Sequence, residues 1–356
     1  MSFQRRMTRE TKVGGRSIGG SSPITVQSMT NTDPKDFEST YNQARALSDA
    51  GCDIIRMTAP DIESVGVFRY IRERGISVPL VADIHFDYKI AIAAAEAGAD
   101  KLRINPGNIG SENKVFEVVR ACLANGTAIR IGVNSGSLEP EILRKHGSPT
   151  AEALAESALN HIAILERAGF YNTVISVKSS DTETMIRANR ILSEKTDYPL
   201  HLGVTEAGGG RRALIKSSVG IGALLAEGIG DTVRISLTDD PVREVEAARE
   251  LLSVMGLRDS GGMEIVSCPT CGRTKIDLIS LLARFEAAAE KEGLKNKDIK
   301  VAIMGCAVNG PGEAREADVG IAGGVGEALL FKRGKIIRKI KEQDIISQLI
   351  QEISLM

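Results

Sequence analysis

A chain of 356 residues with 42% hydrophobic and 26% charged side chains has the composition of a water-soluble globular protein, and it is long enough for a domain of about 250 residues plus a second of about 100. A formal net charge of −1, no tryptophan and only 4% aromatic residues exclude a general nucleic-acid or anionic-membrane partner and a base-stacking surface. No apolar run approaches the ~18 residues of a membrane-spanning helix, the basic N-terminus carries no apolar signal core, and an odd set of five cysteines predicts a reducing, cytoplasmic setting.

Up to residue 257 the chain repeats one theme, a short β-rich run followed by a polar or alanine-rich helical stretch. The runs are ITVQSM (24–29), DIIRMT (53–58), PLVADIH (79–85), KLRINP (101–106), AIRIGVN (128–134), NTVISVKS (172–179), PLHLGVTE (199–206) and DTVRISLT (231–238). Gly51, Gly98 and Gly169 stand where helices should stop before the next run. Eight such units predict a (β/α)8 TIM barrel over residues 1–258; a doubly wound sheet is the alternative. The stretch RDSGGMEI (258–265) reads as a hinge. Beyond it, strands at 264–268, 300–305 and 318–322, a hairpin-like run at 327–340 and helices at 275–292 and 341–354 predict a small α/β domain, 259–356. In its first helix Leu278, Leu282, Phe285 and Ala289 fall on one apolar face.

Alternation within the barrel runs sorts the side chains. Apolar residues such as Ile55, Leu102, Ile129, Ile175 and Val233 take the parity that faces the helices, so the other parity faces inward. That parity holds Arg56, Arg103, Arg130, Lys178 and Arg234, with Asn105, Asn134, Ser176 and Ser236 among them. Asp83 and Glu206 are the carboxylates in reach, which leaves a surplus of positive charge. Like charges in a partly desolvated mouth repel unless an anion arrives, and the arginine fork suits phosphate oxygens. A diphosphate fits. The competing reading pairs each arginine with a carboxylate as a structural plug. Asp83 and His85 share the inward parity of A-D-I-H, and Glu206 follows the seventh run in T-E-A-G-G-G; both carboxylates are candidates for proton transfer, while His201 reads as structural.

The smaller domain carries S-C-P-T-C-G-R-T (267–274) and G-C-A-V-N-G-P-G-E-A (305–314). Cys268, Cys271 and Cys306 form an incomplete thiolate set, and no histidine follows residue 201 to complete a zinc site. Cys52 and Cys122 read as small buried thiols within the barrel. The fourth donor is then an oxygen, and Glu313 beyond a Gly-Pro-Gly turn is the best candidate. Three thiolates and a carboxylate fit iron–sulfur chemistry better than zinc, with one iron open to substrate.

These strings together resemble the bacterial 4-hydroxy-3-methylbut-2-enyl diphosphate synthase family in its short, two-domain form. The resemblance rests on V-Q-S-M-T-N-T-D (26–33), A-D-I-H (82–85), L-R-I-N-P-G-N (102–108), I-R-I-G-V-N (129–134), H-L-G-V-T-E-A-G (201–208), R-I-S-L-T (234–238) and the two cysteine strings, in order along nearly the whole chain. It implies a [4Fe–4S] cluster on Cys268, Cys271, Cys306 and Glu313. The implied substrate is 2-C-methyl-D-erythritol 2,4-cyclodiphosphate, held by Arg56, Arg103, Arg130, Asn134, Lys178, Arg234 and Ser236. It further implies a two-electron reductive ring opening with loss of water, with Glu206 as the expected proton donor and Asp83 assisting. Electrons would come from flavodoxin or ferredoxin, and the cluster domain would close over the partner's barrel in a homodimer. Two other readings stand beside it: a barrel transferase for a phosphorylated or pterin substrate with a structural zinc domain, and an electron carrier whose barrel is only a scaffold.

Overall fold

The computed structural model describes residues 4–258, 261–306 and 315–356, and the chain divides into two compact units, Met1–Asp259 and Ser260–Met356. The first unit opens with a hairpin that the alternation pattern does not announce, β1 (Thr11–Val13) paired antiparallel with β2 (Arg16–Ile18). Its Val13 and Ile18 are fully buried against Ile54, Val81, Ala128 and Val174, the inward residues at the lower end of the barrel. The hairpin therefore plugs that end with hydrocarbon, and Thr11 Oγ1 ties it to the Thr173 carbonyl at 2.9 Å. Three-residue strands around a glycine turn are too short to show a period.

The expected barrel is present. Its strands are β3 (Thr25–Met29), β4 (Ile54–Thr58), β5 (Leu80–Asp83), β6 (Lys101–Ile104), β7 (Ala128–Asn134), β8 (Thr173–Lys178), β9 (His201–Leu202) and β10 (Thr232–Val233). All pair in parallel in the order β8-β7-β6-β5-β4-β3-β10-β9, and a bridge between Ile175 and Leu200 closes the circle. Parallel pairing requires a crossover between successive strands, and helices such as Phe37–Asp49, Glu112–Asn125 and Ala151–Arg167 supply it. Gly51, Gly98 and Gly169 take φ of 86°, 96° and 71°, the left-handed conformation of a helix stop. The seventh and eighth runs shrink to two-residue strands. Past Leu202 the backbone leaves regular register while keeping single bonds, from Arg234 N–H to Leu202 O at 3.0 Å and from Thr205 N–H to Ser179 O at 3.2 Å. The outward parity, including Ile55, Met57, Leu102, Ile104, Ile129, Ile131, Ile175 and Val177, is fully buried under the helices, which commits the polar parity to the interior.

The second unit is a mixed sheet of β11 (Glu264–Ser267), β12 (Lys300–Met304), β13 (Val319–Gly323), β14 (Glu327–Lys332) and β15 (Lys335–Lys341) in sequential order. β11, β12 and β13 run parallel, and β14 and β15 return antiparallel. Helices Leu278–Lys291 and Ile345–Ser354 bury Leu278, Leu281, Phe285, Ala289, Ile345, Leu349 and Ile353 with Val301, Ile303, Val319 and Ile321 of the sheet. Leu281 is buried in that core as well, and Leu282, expected on the apolar face, packs partly buried at its edge.

Candidate active site

The inward residues at the C-terminal ends of the barrel strands enclose a cavity of about 130 Å³. Arg56, Asp83, Arg103, Arg130, Asn134, Lys178, Arg234 and Ser236 line it together with His85, Gly132, Ser176 and Thr205. Every barrel residue singled out for anion binding thus opens on one space. Glu206 does not line it: the residue is exposed, just past Thr205, with φ 51°.

Charge in the cavity is unevenly matched. Asp83 lies 3.7 Å from Arg56 Nε and 3.4 Å from Arg103 Nη1. Burial alone would raise its pKa, but Arg56, Arg103 and Arg130 outweigh that and hold it below the ordinary carboxylate value. Arg103 also donates Nη2 to the Gly132 carbonyl at 3.1 Å, and Asn134, with its amide oxygen turned inward, accepts from the same nitrogen at 3.2 Å. Arg234 is held by Glu244, on the helix Pro241–Val254, through two bonds of 3.0 Å. Arg130, only 1% exposed, has no protein partner for Nε or Nη1. Burial, then the neighbouring Arg56 and Arg103, push its pKa well below the guanidinium range. Burial likewise lowers Arg56 to about 10, with Asp83 opposing the shift. Lys178 is driven well down by burial and by Arg234 and Arg130.

Two interior charges were missed in the sequence. Lys101, fully buried with no bonded partner for Nζ, shares Arg103's parity, so the alternation of K-L-R-I-N carried the signal. Glu244 carried none, because it reaches Arg234 from a helix ten residues downstream, through tertiary packing. His201 is fully buried, with Nδ1 3.3 Å from Thr232 Oγ1 and Nε2 without a hydrogen-bond partner. Such an excess of buried cations would be relieved by a multivalent anion, since an unpaired buried charge is expensive until a counter-ion arrives.

In the second unit Cys268 follows β11 and Cys306 follows β12, and these strands are parallel neighbours with Ser267 opposite Ile303. Both thiols therefore leave the same end of the sheet. The Gly305 N–H donates to Cys268 Sγ at 3.3 Å. Cys271 is exposed, and hydrogen bonds from the Arg273 backbone and side chain lower its pKa toward the thiolate. Glu313 lies outside the described residues. Among the described residues no three His, Cys, Asp or Glu side chains gather into a metal-binding group. The donor set itself, with Cys268 and Cys306 past neighbouring strand ends, Cys271 exposed three residues beyond Cys268, all three thiols free and an N–H aimed at one sulfur, fits an iron–sulfur cluster. Cys52 and Cys122 are buried elsewhere, their thiols pushed up to about 12 by burial.

Comparison with known proteins extends this picture. Residues 8–249 match the GcpE TIM-barrel domain and residues 264–355 match the GcpE protein C-terminal domain. A relative from Clostridium perfringens named 4-hydroxy-3-methylbut-2-en-1-yl diphosphate synthase (flavodoxin) is 56% identical over 351 residues, covering 99% of this chain and 99% of the relative. One of the same name from Caldanaerobacter subterraneus subsp. tengcongensis is 53% identical over 352 residues, covering 99% and 98%. Among solved structures, dihydropteroate synthase from Stenotrophomonas maltophilia aligns with TM-score 0.50 at 16% identity, covering 70% of this chain and 100% of that one. Type I 3-dehydroquinate dehydratase from Clostridium difficile aligns with TM-score 0.50 at 15% identity, covering 70% and 98%. Those two likenesses show the barrel fold alone and lend no weight to a pterin transferase. With both family domains matched in order and end-to-end relatives above half identity, the chain belongs to the GcpE family of 4-hydroxy-3-methylbut-2-en-1-yl diphosphate synthases.

Proposed function

We propose that this chain catalyses the reaction its relatives are named for, converting 2-C-methyl-D-erythritol 2,4-cyclodiphosphate to 4-hydroxy-3-methylbut-2-en-1-yl diphosphate with two electrons from flavodoxin. Ferredoxin is the alternative donor. The observation that carries the reading is Arg130, buried with two unpartnered donor nitrogens in a cavity already rich in cations. An anion with several oxygens satisfies it; a neutral substrate does not.

Cys268, Cys271 and Cys306 would hold a [4Fe–4S] cluster, with Glu313 as the oxygen donor. When bound, such a cluster supplies electrons singly and a Lewis-acidic iron. The barrel residues bind and orient the substrate. Arg56, Arg103, Arg130, Lys178 and Arg234 surround the diphosphate and stabilise the charge that grows on the phosphate oxygen as the ring opens. Asn134 and Ser236 add neutral hydrogen bonds. Asp83 holds Arg56 and Arg103 toward the pocket and stays ionised, which suits orientation better than proton donation. Glu206 would deliver a proton from its carboxyl oxygen to the departing hydroxyl. A homodimer and a cytoplasmic setting are proposed on the family resemblance and the unpaired thiols.

Anaerobic purification followed by iron, sulfide and zinc analysis tests the cofactor assignment, and turnover with reduced flavodoxin tests the activity. About four iron and four sulfide per chain with product formation are expected. A single zinc and no turnover would return the structural-zinc reading.

A further inference from the structure

Gly132, which lines the cavity, and Gly203, which neighbours Lys178 and Arg234, have no side chain, and backbone conformation does not explain them. Gly132 on β7 and Gly203 beyond β9 both lie outside the left-handed region, so other residues fit their backbone. Space is the constraint. A Cβ at Gly203 would stand 2.7 Å from the Arg234 carbonyl oxygen and 2.9 Å from Lys178 Nζ, so there the neighbouring backbone also forbids a side chain. Gly132 is different. The three atoms nearest a Cβ there all belong to the Arg103 side chain, Cζ and Nη2 at 3.1 Å and Nε closer still.

We propose that Gly132 is a positioning residue: its missing side chain forms the slot in which the Arg103 guanidinium lies across β7, and this sets the anion-binding geometry of the pocket. The proposal rests on reading the cavity as a diphosphate site. In register, Arg103 of β6 stands opposite Arg130 of β7, so an arginine kept to its own position would press one buried cation against another. Gly132 lies two residues further along β7 on the same inward parity. Crossing it lets Arg103 donate to the Gly132 carbonyl at 3.1 Å and to Asn134 at 3.2 Å, while Nη1 stays 3.4 Å from Asp83. The fork is thereby held between β5 and β7 before any ligand arrives. That spares the ordering of a long flexible side chain on binding. An alanine would close the slot and tip the guanidinium into a cavity of only about 130 Å³.

The barrel should tolerate the change, because the three nearest atoms belong to one side chain and not to the backbone, and alanine suits a strand better than glycine. The test uses the full chain as Gly132→Ala, Arg103→Ala and the double variant, with affinity measured calorimetrically for the cyclodiphosphate and for inorganic pyrophosphate. Gly132→Ala should raise Kd roughly 10- to 100-fold, the loss of one charge-assisted hydrogen bond, without a fall in Tm. In the Arg103→Ala background the same substitution should add almost nothing, a non-additivity that a general packing role would not produce. Wild-type affinity in Gly132→Ala, or additive losses in the double variant, would overturn the proposal. Should the unmodified chain bind neither diphosphate, the functional reading fails instead. A crystal structure of Gly132→Ala still decides the slot: a displaced guanidinium supports it, and one lying across residue 132 as before overturns it.

Discussion

Glu244 grips Arg234 from behind the barrel wall with two hydrogen bonds of 3.0 Å. The same carboxylate accepts from Ser28 Oγ at 2.8 Å and from the Leu237 N–H at 3.1 Å. Arg234 thus reaches the cavity with its charge already matched and its orientation fixed from outside. Arg130 has no such partner, although it is the more deeply buried of the two. One arginine is a fixed post; the other stores an unmet demand for an anion.

That difference predicts effects of opposite sign on stability and binding. Arg130→Met should raise the unfolding free energy by about 1–4 kcal/mol, the range seen when a poorly compensated buried charge gives way to hydrocarbon. It should also weaken cyclodiphosphate binding by roughly 1.5–3 kcal/mol. Urea unfolding and calorimetry of the same sample check both, and a loss of stability would mean that Arg130 is paired in the free protein.

Glu244→Ala should act the other way. It strands Arg234 with its charge uncompensated and removes the acceptor for Ser28 and Leu237, so unfolding should become easier by about 3–5 kcal/mol. A change under 1 kcal/mol in urea titration would show that the pair lies too near solvent to matter.

How much of this was legible beforehand follows from where the signals lie. The strands and the anion-facing parity were readable because alternation is local: Arg56, Arg103, Arg130 and Arg234 each sit between apolar neighbours that the helices bury, and Lys178 follows the buried Val177. The plug of Val13 and Ile18 was not, since three-residue strands carry no period. Glu244 escaped because a helical residue's partner is chosen by tertiary packing. Glu244 neutralises Arg234 and Lys101 adds a further buried cation, so the surplus charge of the interior lies on residues other than Arg234.

Acid should weaken the barrel through His201. Burial first, then Arg130, Lys178 and Lys101, holds its folded pKa well below 6.5. Below pH 6.5 the unfolded chain takes up a proton that the folded chain refuses, so stability present above that pH is lost as pH falls. The slope should approach 1.4 kcal/mol per pH unit at most. Between about pH 6.5 and 5, before carboxylates protonate, unfolding free energies of wild type and His201→Gln should converge. Parallel curves would show that His201 is protonated in the folded state.

Replacing Cys268, Cys271 or Cys306 with serine should abolish iron binding and turnover while leaving the barrel intact, because the other two thiols, Cys52 and Cys122, are buried in the other unit's core. Iron content and thermal unfolding report the two halves of that statement separately. A variant retaining full iron would remove its residue from the ligand set.

Glu206 is the sharpest test of how the proton is delivered. It holds φ at 51°, a region that costs a non-glycine residue about 1–2 kcal/mol, and the glycines beside it, Gly208 and Gly210, are left-handed too, at 92° and 59°. The chain therefore keeps a carboxylate at a position where glycine would be more comfortable, which points to a use for the side chain. Glu206→Gln preserves shape and backbone but cannot donate an acidic proton. Iron content and cyclodiphosphate affinity should stay near wild type, while turnover falls by about 10²–10⁴, the usual contribution of a general acid. Glu206→Gly should lose the same activity yet gain stability of about 1 kcal/mol as the strain relaxes. If the glutamine variant turns over normally, the strained backbone and not the carboxyl group is what this loop supplies, and the proton must come from another group at the cavity.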